Sequence, residues 1–382
     1  MKILYNTNAV VPSRSANSIH VMRMCQAFAR NGHQVTLLVP DWKNRYELGV
    51  EDAYKYYGVE ECFEIIKAAV QNLPGKVCVY ASFLIHMAQR LHMIQPDLVY
   101  GRFACGCYFA SVQGYSTVFE SHVPMWEGHK LERVFFDRLI RKKKFKKMVV
   151  ISHALKEIYI RSGYLSKAMI QVAHDAADDN TDFMPLPNWP GRKNRLQVGY
   201  VGHLYDGRGV ELLLELAGEM PHLDFHLVGG TDEDLVYWQS RGRRTNIFFH
   251  GYVAPEKVYS YQNSCDVLLA PYQDRVARAG GKGDTSRYMS PLKVFEYMAS
   301  KKPIVASNLP VLREVLGNNN AILVPPSDVQ AWKDALSRLH NRTLRERLSR
   351  NAYHDFKEKY EWSARAKWVL DENWNCRGHD LV

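Results

Sequence analysis

The sequence predicts an α/β protein made of two doubly wound Rossmann-like domains facing each other across a cleft. Three observations predict it. A strand–helix–strand unit opens the chain, the same unit begins again near residue 196, and a stretch rich in Asp, Asn and Pro separates the two copies. With 382 residues, 46% of them hydrophobic, the chain exceeds what one hydrophobic core organises and suffices for two.

In the first copy, Ile3 to Tyr5 reads as a strand and Asn6 to Ser18 as a loop of small polar residues. A helix follows in which Val21, Met24, Cys25 and Phe28 recur at i, i+3, i+4 and i+7, and Gly32 closes it. Val35 to Val39 is then a buried strand of the kind found in parallel sheets. In the second copy, Leu196 to Val201 is the strand, Gly202 to Gly209 a glycine-punctuated loop, and Val210, Leu213, Leu214 and Ala217 mark a helix face before the strand at Phe225 to Val228. Further strands are expected at Asp97 to Tyr100, Thr117 to Glu120, Met148 to Ser152 and Ile170 to Ala173. In the second half they are expected at Ile247 to His250, Val267 to Ala270, Ile304 to Ala306 and Ile322 to Val324. Tyr353 to Asn375 is expected to be helical, its aromatic residues packing across two domains. The division is thus 1–180, a linker at 181–194, 195–360, and a C-terminal helix in 361–382 packing back towards the first domain. In such sheets ligands bind beyond the carboxyl ends of the strands, so the loops there are where chemistry is sought.

Composition narrows the class. The seven cysteines are odd in number and lack zinc-ligand spacing, which fits a reducing compartment. The opening residues form no signal-peptide core, and nowhere do 18 apolar residues run together, so a cytoplasmic protein is expected. The formal charge of +10 is concentrated in Arg138, Arg141, Lys142, Lys143, Lys144, Lys146 and Lys147. A solvated helix end and an anionic membrane surface both explain that run, each Lys or Arg near such a surface contributing about 1 kcal/mol. Only Phe145 interrupts it and no groove-reading motif accompanies it, which argues against nucleic acid.

The residues that carry chemistry centre on the run from Ser290 to Ser307. Ser290 suits an N-cap and Pro291 the first helical position, so a helix is predicted to start there behind the glycine-rich Ala279 to Asp284. The amides of Ser290 and Leu292 and the positive end of the helix dipole make this start a phosphate-binding element. Lys293 and Glu296 are the polar residues of an otherwise apolar helix and share a face with Ser300. They read either as a surface pair or as a cation beside a diphosphate and a carboxylate beside a ribose diol. Gly280-Gly281-Lys282-Gly283 lacks the spacing of a nucleotide triphosphatase loop, and Asp232-Glu233-Asp234 reads as a solvated turn rather than a metal site.

The run Ser290-Pro291-Leu292-Lys293-Val294-Phe295-Glu296-Tyr297-Met298-Ala299-Ser300, continued to Glu314, resembles the donor-binding motif of the family 4 retaining glycosyltransferases, which have the B-type fold of two Rossmann-like domains. The resemblance extends in order over nearly the whole chain. It implies that Glu296 binds the nucleotide ribose; Tyr288 stands where the family has a sugar-binding carboxylate, with Asp284 as another substitute. Gly202-His203-Leu204-Tyr205-Asp206-Gly207-Arg208-Gly209 resembles the family's diphosphate loop, with Arg208 in a cation position and His203 in place of the other. His122, closing Val118 to His122, resembles the strand-end His that reaches the transferred sugar. Asn17, Ser18 and His20 lie where relatives contact the acceptor, and His174 to Asp178 resembles the close of the first domain.

What the resemblance implies is an N-terminal acceptor domain and a C-terminal donor domain. His122, Arg208 and Lys293 would be catalytic; Glu296, Ser290, Pro291, Leu292, Tyr288, Gly202 and His203 would bind a UDP- or GDP-linked sugar. No cofactor and no metal is implied. The acceptor would be a glycan or lipid-linked sugar met at the inner face of a membrane, through Arg138 to Lys147. A sugar-nucleotide epimerase on the same fold, or a non-catalytic sugar-nucleotide binder, is the alternative.

Overall fold

The computed structural model describes residues 1–42, 47–70, 75–180, 183–242, 244–277 and 283–373. The chain divides into two compact units, one of Met1–His174 with residues 362–373 and one of Asp175–Glu361.

The first unit holds a seven-stranded sheet of β1 (Lys2–Asn6), β2 (Gln34–Pro40), β3 (Glu64–Ala68), β4 (Leu98–Gly101), β5 (Thr117–Ser121), β6 (Phe145–Val150) and β7 (Ile170–Val172). The strand order is 3-2-1-4-5-6-7 and every pairing is parallel. Helices α1 (Ala16–Arg30), α2 (Ala53–Tyr57), α3 (Gly75–Ile94), α4 (Ala104–Val112), α5 (Lys130–Leu139) and α6 (His153–Arg161) supply the crossovers. The apolar strands are buried on both faces, as the parallel arrangement requires.

Three local expectations change. The first helix begins at Ala16, because the Ser15 hydroxyl accepts the Ser18 N–H as an N-cap, so Asn17 and Ser18 lie in its first turn rather than in a loop. β3 was not anticipated; Glu64 and Lys67 face out on a five-residue edge strand, which dilutes its apolar signal. The basic run is not one element, since α5 ends at Leu139 and β6 begins at Phe145.

The second unit holds β8 (Gln197–Val201), β9 (Asp224–Val228), β10 (Ile247–Gly251), β11 (Val267–Ala270), β12 (Ile304–Ser307) and β13 (Ile322–Val324). They form a parallel sheet in the order 10-9-8-11-12-13. Around it lie α7 (Val210–Glu219), α8 (Asp232–Ser240), α9 (Val258–Asn263), α10 (Leu292–Ala299), α11 (Val329–Arg338) and α12 (Arg342–Lys359). Leu213, Leu216, Phe225, Val267 and the fully buried Trp332 lie at the centre of its core. Asp232, Glu233 and Asp234 form the first turn of α8, not a free turn: Thr231 and Asp234 make a capping box, and three carboxylates suit the positive helix end.

The last helix, α13 (Trp362–Leu370), belongs to the first unit. Tyr360 lies 5.0 Å from Phe295 in the second unit, and Trp362 lies 5.1 Å from His20 in the first. Trp374 falls outside the described residues. No helix among the described residues is long and apolar enough to cross a membrane.

In the second unit the Trp189 ring stacks 4.3 Å from His226 and 4.7 Å from His250, whose facing nitrogens are 3.1 Å apart. Burial pushes His226 down to about 3, with His250 adding to the effect, and burial pushes His250 down to about 4. In the unfolded chain both imidazoles take up a proton near pH 6.5. Stability that is present above that pH is therefore lost as pH falls from about 6.5 towards 4. Thermal denaturation is expected to show a midpoint that drops over this window, with a shallower slope in His226→Gln/His250→Gln; equal slopes in the two proteins would rule the pair out as the cause.

Candidate active site

The second unit brings Gly202, Arg208 and Glu296 together around Lys293 at the carboxyl end of β8. Glycine is required there for two reasons. Gly202 has φ +147°, and a Cβ on it would lie 2.6 Å from the Lys293 Nζ. Gly229, at the end of β9, has φ +119° and would place a Cβ 2.1 Å from the Gly202 carbonyl oxygen. The absence of side chains at both strand ends opens the space that the lysine fills.

Lys293 is half-buried as a residue, but its Nζ is enclosed and without a hydrogen-bond partner. It lies 3.7 Å from the centre of the Tyr200 ring and 5.3 Å from that of Tyr272, so aromatic faces take the place of a counter-ion. Burial, and then the charge of Arg208, hold this ammonium well below the usual lysine range, while Glu296 acts in the opposite sense. The Arg208 guanidinium lies 5.2 Å from the Tyr272 ring, and its buried Nε also lacks a partner. Two orphaned cationic nitrogens in one enclosed space are what an anion would satisfy. Glu296 accepts a hydrogen bond from Gln262 Nε2 at 3.1 Å. Tyr297, on the opposite side of α10, receives the Val201 N–H at 2.9 Å and so fixes the helix against the end of β8.

The start of α10 differs from expectation. Pro291 is its N-cap, with no side-chain cap, and Ser290 instead uses its hydroxyl to accept the Asp175 N–H at 2.9 Å. The first amides of the helix, from Leu292 on, thus have no side-chain acceptor. Tyr288 is 2% exposed. Asp284 accepts the Val276 and Ser286 N–H groups, which makes its carboxylate a brace for the loop. His203 stacks on Tyr205 at 4.7 Å, and its carbonyl accepts the Tyr200 hydroxyl. Gly280 to Lys282 lie outside the described residues.

In the first unit, His20 and His122 meet at Glu120, a residue the sequence offers only as a neighbour of His122. The Glu120 carboxylate is buried at the end of β5, with Oε1 2.8 Å from His20 Nε2, 2.6 Å from His122 Nε2 and 3.0 Å from Arg365 Nη2. The Tyr100 hydroxyl donates to its other oxygen. Burial alone would raise this carboxyl, but Arg365, His20 and His122 together hold it well below the usual range. The ligand atoms of His20, Glu120 and His122 lie within 4.8 Å of one another, close enough for a metal ion. Arg365 already fixes a positive charge against the shared oxygen, so the arrangement is an ion-pair network. Its effect is to orient His122, the least buried member.

The acceptor-site expectations fare unevenly. Ser18 is fully buried and donates to the Ser13 and Ser15 carbonyls at 3.0 and 2.9 Å, and His20 is 1% exposed beneath His122. Neither side chain is open to a ligand. Asn17 is half-buried, with an unpartnered Oδ1. In the basic run, Arg138, Arg141, Lys143, Lys144 and Lys146 are exposed, Lys142 lies 5.3 Å over the Tyr108 ring, and Lys147 turns inward. The Lys147 Nζ donates to the Asp371 carbonyl at 2.8 Å, and burial lowers its pKa to about 8. It contributes nothing to a surface patch.

Comparison with known proteins matches both units. Residues 18–180 match the family described as Glycosyltransferase Family 4, and residues 195–342 match Glycosyl transferases group 1. Sucrose-phosphate synthase of Thermosynechococcus elongatus superposes with a TM-score of 0.72 at 18% identity, over 96% of this chain and 97% of that one. HepE of Anabaena in complex with UDP gives 0.71 at 16% identity, over 97% and 98%. In sequence, TuaH of Bacillus subtilis (strain 168), which bears the name of a teichuronic acid biosynthesis glycosyltransferase, is 29% identical over 115 residues. That stretch is 30% of this chain and 27% of the relative. Two parallel-sheet units, each matched in order by such a family, make this chain a two-domain glycosyltransferase. It belongs to glycosyltransferase family 4.

Removing Arg365 strands the Glu120 charge inside the first unit. Arg365→Met is expected to lower unfolding free energy by about 3–5 kcal/mol, and Glu120→Gln/Arg365→Met to recover much of that loss. Denaturant titration measures both; a loss within the range of exposed pairs, about 0–1 kcal/mol, would show that Glu120 does not depend on Arg365.

Proposed function

We propose that this protein is a retaining glycosyltransferase that moves a sugar, a hexosyl unit or a close relative, from a UDP- or GDP-linked donor to a glycan or lipid-linked acceptor. The observation that carries the reading is the pair of orphaned cationic groups, Lys293 Nζ and Arg208 Nε, beside Glu296 at the start of α10. A nucleoside diphosphate supplies what that pocket lacks: negative oxygens for the two cations and for the first amides of α10, and a ribose diol for Glu296. UDP is the nucleotide bound in the Anabaena HepE structure, and TuaH is assigned by name to teichuronic acid biosynthesis.

In the proposed reaction the bond between the anomeric carbon and the diphosphate oxygen breaks, and one to the acceptor oxygen forms on the same face. The acceptor proton passes to a donor phosphate oxygen, so no protein base is needed. Arg208, Lys293 and the helix amides stabilise the charge left on the diphosphate, and because they are fixed in place they do so without reorganisation. That charge complement takes the role a divalent ion plays elsewhere, so we propose a metal-independent reaction. His122, held by Glu120, is proposed to contact the transferred sugar. The first unit is accordingly the acceptor domain and the second the donor domain.

Binding of the diphosphate favours the protonated form of Lys293, whose pKa is depressed in the free protein. Donor binding therefore takes up a proton wherever the free ammonium is partly deprotonated, and affinity falls as pH rises. UDP calorimetry in buffers of different ionisation enthalpy is expected to reveal this uptake, and Lys293→Met to remove it. Arg208→Ala and Glu296→Ala are expected to abolish transfer with the fold unchanged by circular dichroism, and transfer by the unaltered protein is expected to persist in EDTA. Full activity in either variant would overturn the donor-site assignment.

We further propose a cytoplasmic protein peripheral to the membrane, held by Arg138, Arg141, Lys143, Lys144 and Lys146. Val134, 42% exposed on α5, adds an apolar contact beside these charges. Changing Arg141, Lys143, Lys144 and Lys146 to Gln is expected to release the protein from phosphatidylglycerol vesicles in a sedimentation assay, because about four such contacts at about 1 kcal/mol each are lost. Undiminished sedimentation would discard the membrane assignment.

A further inference from the structure

The second unit has a second cationic space, at the opposite end of its strands from the glycine loop. A groove of about 700 Å³ is lined by residues that include Lys301, Lys302, Arg342, Arg345 and Arg350. Asp266 immediately precedes β11, and Lys302 and Pro303 immediately precede β12, so the floor lies at the amino ends of the strands. Glycine loop and Lys293 lie at the carboxyl ends. The far wall is one stripe of α12, on which Arg342, Arg345, Ser349 and Tyr353 succeed one another at helical spacing over about 16 Å.

The charge in this groove is lopsided. Five cations face two carboxylates, Asp266 and Glu346. Glu346 is taken up by Arg342 at 2.7 Å on an exposed helix face. Arg345 donates to the Leu339 and His340 carbonyls, which fixes its guanidinium in place. Lys302 is partly enclosed, and burial lowers its pKa against the opposing pull of Asp266. None of these contacts neutralises the excess of three positive charges.

Lys301 is held there at a conformational cost. It follows α10 in the left-handed region, φ +55°, and is one of two non-glycine residues with positive φ among the described residues. Helix termination alone would favour glycine at that place. What lysine adds is an ammonium set 4.2 Å from the centre of the Tyr353 ring, towards the C-terminal end of the α12 stripe that carries Arg342 and Arg345. A left-handed lysine fixed on an aromatic face of the helix that carries the arginines, in one groove with them, is a preformed cradle for an oxyanion.

We propose that this groove binds a phosphate-bearing ligand, carried either by a soluble molecule or by a lipid headgroup, at a site separate from the donor pocket. The inference does not rest on the proposed transferase reaction and stands or falls independently of it. Guanidinium forks match phosphate oxygens in pairs, and the length of the stripe accommodates more than one phosphate group.

The test uses inorganic pyrophosphate and, in parallel, phosphatidylglycerol vesicles. Because pyrophosphate also fits the donor pocket, binding is measured in the Arg208→Ala background, by calorimetry for the soluble probe and sedimentation for vesicles. Lys301→Gln/Arg342→Gln/Arg350→Gln leaves the structurally engaged Arg345 in place. It is expected to weaken pyrophosphate binding at least tenfold if the source is soluble, or vesicle binding at least tenfold if it is a headgroup. The single exposed change Arg350→Glu should act in the same direction and guards against misfolding of the triple variant. Binding of both probes unchanged in both variants, with folding intact, would overturn the proposal, as would pyrophosphate binding lost entirely on Arg208→Ala alone together with vesicle binding unchanged in the groove variants.

Discussion

The buried Glu120 carboxylate is the constraint around which the first unit is arranged. Taking an isolated carboxylate out of water costs several kcal/mol even after relaxation, and the group stays ionised only if charges and donors surround it. Here they come from four separate places: Tyr100 on β4, His20 on α1, His122 just past β5, and Arg365 on the last helix. Arg365 cannot be reached by local sequence, because 245 residues separate it from Glu120. It reinforces its position by donating to the Ala173 and His174 carbonyls, where the chain leaves the unit. The return of α13 to the first unit is thus tied electrostatically to the carboxylate at the end of β5.

The second unit uses the reverse arrangement. It buries cations and leaves them without carboxylate partners, with aromatic faces as the compensation: Tyr200 under Lys293, and Tyr272 beside both Lys293 and Arg208. Such a pocket is less stable empty than filled by an anion, since a ligand carrying the missing charge restores what burial removed. The glycines at the ends of β8 and β9 are part of the same arrangement. Any side chain at Gly202 would displace the lysine, and any at Gly229 would displace the backbone of Gly202. Charge and backbone geometry therefore depend on one another at this strand end.

The alternation of buried strands with amphipathic helices was legible in the sequence because it is a local signal, and the second copy of the module at Gln197 to Val228 repeats the first closely enough to be read in the same way. Lys293 and Glu296 stood out for a similar reason: polar residues on an apolar helix are visible without a structure. What the sequence hid was long-range. Glu120 looks like an ordinary strand residue until Arg365 and His20 are brought to it, and Lys147 looks like its basic neighbours until the alternation of β6 turns it inward. Ser290 has the chemistry of an N-cap, but the Asp175 amide, 115 residues away in sequence, competes for its hydroxyl. Lys301 carries no signal of left-handed backbone at all, since lysine is not a residue that favours it.

On the proposed reading, the departure at Tyr288 falls at the sugar end of the donor, and the departure at His203 falls at its diphosphate end. The diphosphate end keeps Arg208, Lys293 and the uncapped start of α10, with His203 in place of a second loop cation. Tyr288 stands in sequence where the resemblance has the family's sugar-binding carboxylate, its side chain is buried, and Asp284 is already held by two backbone amides. A carboxylate at that place accepts from two sugar hydroxyls; a buried phenol in its stead removes that pair of acceptors. His203 is likewise occupied, stacked on Tyr205. On this reading, holding of the donor nucleotide rests on Arg208, Lys293 and the first amides of α10, and choice of its sugar on residues other than a carboxylate at position 288.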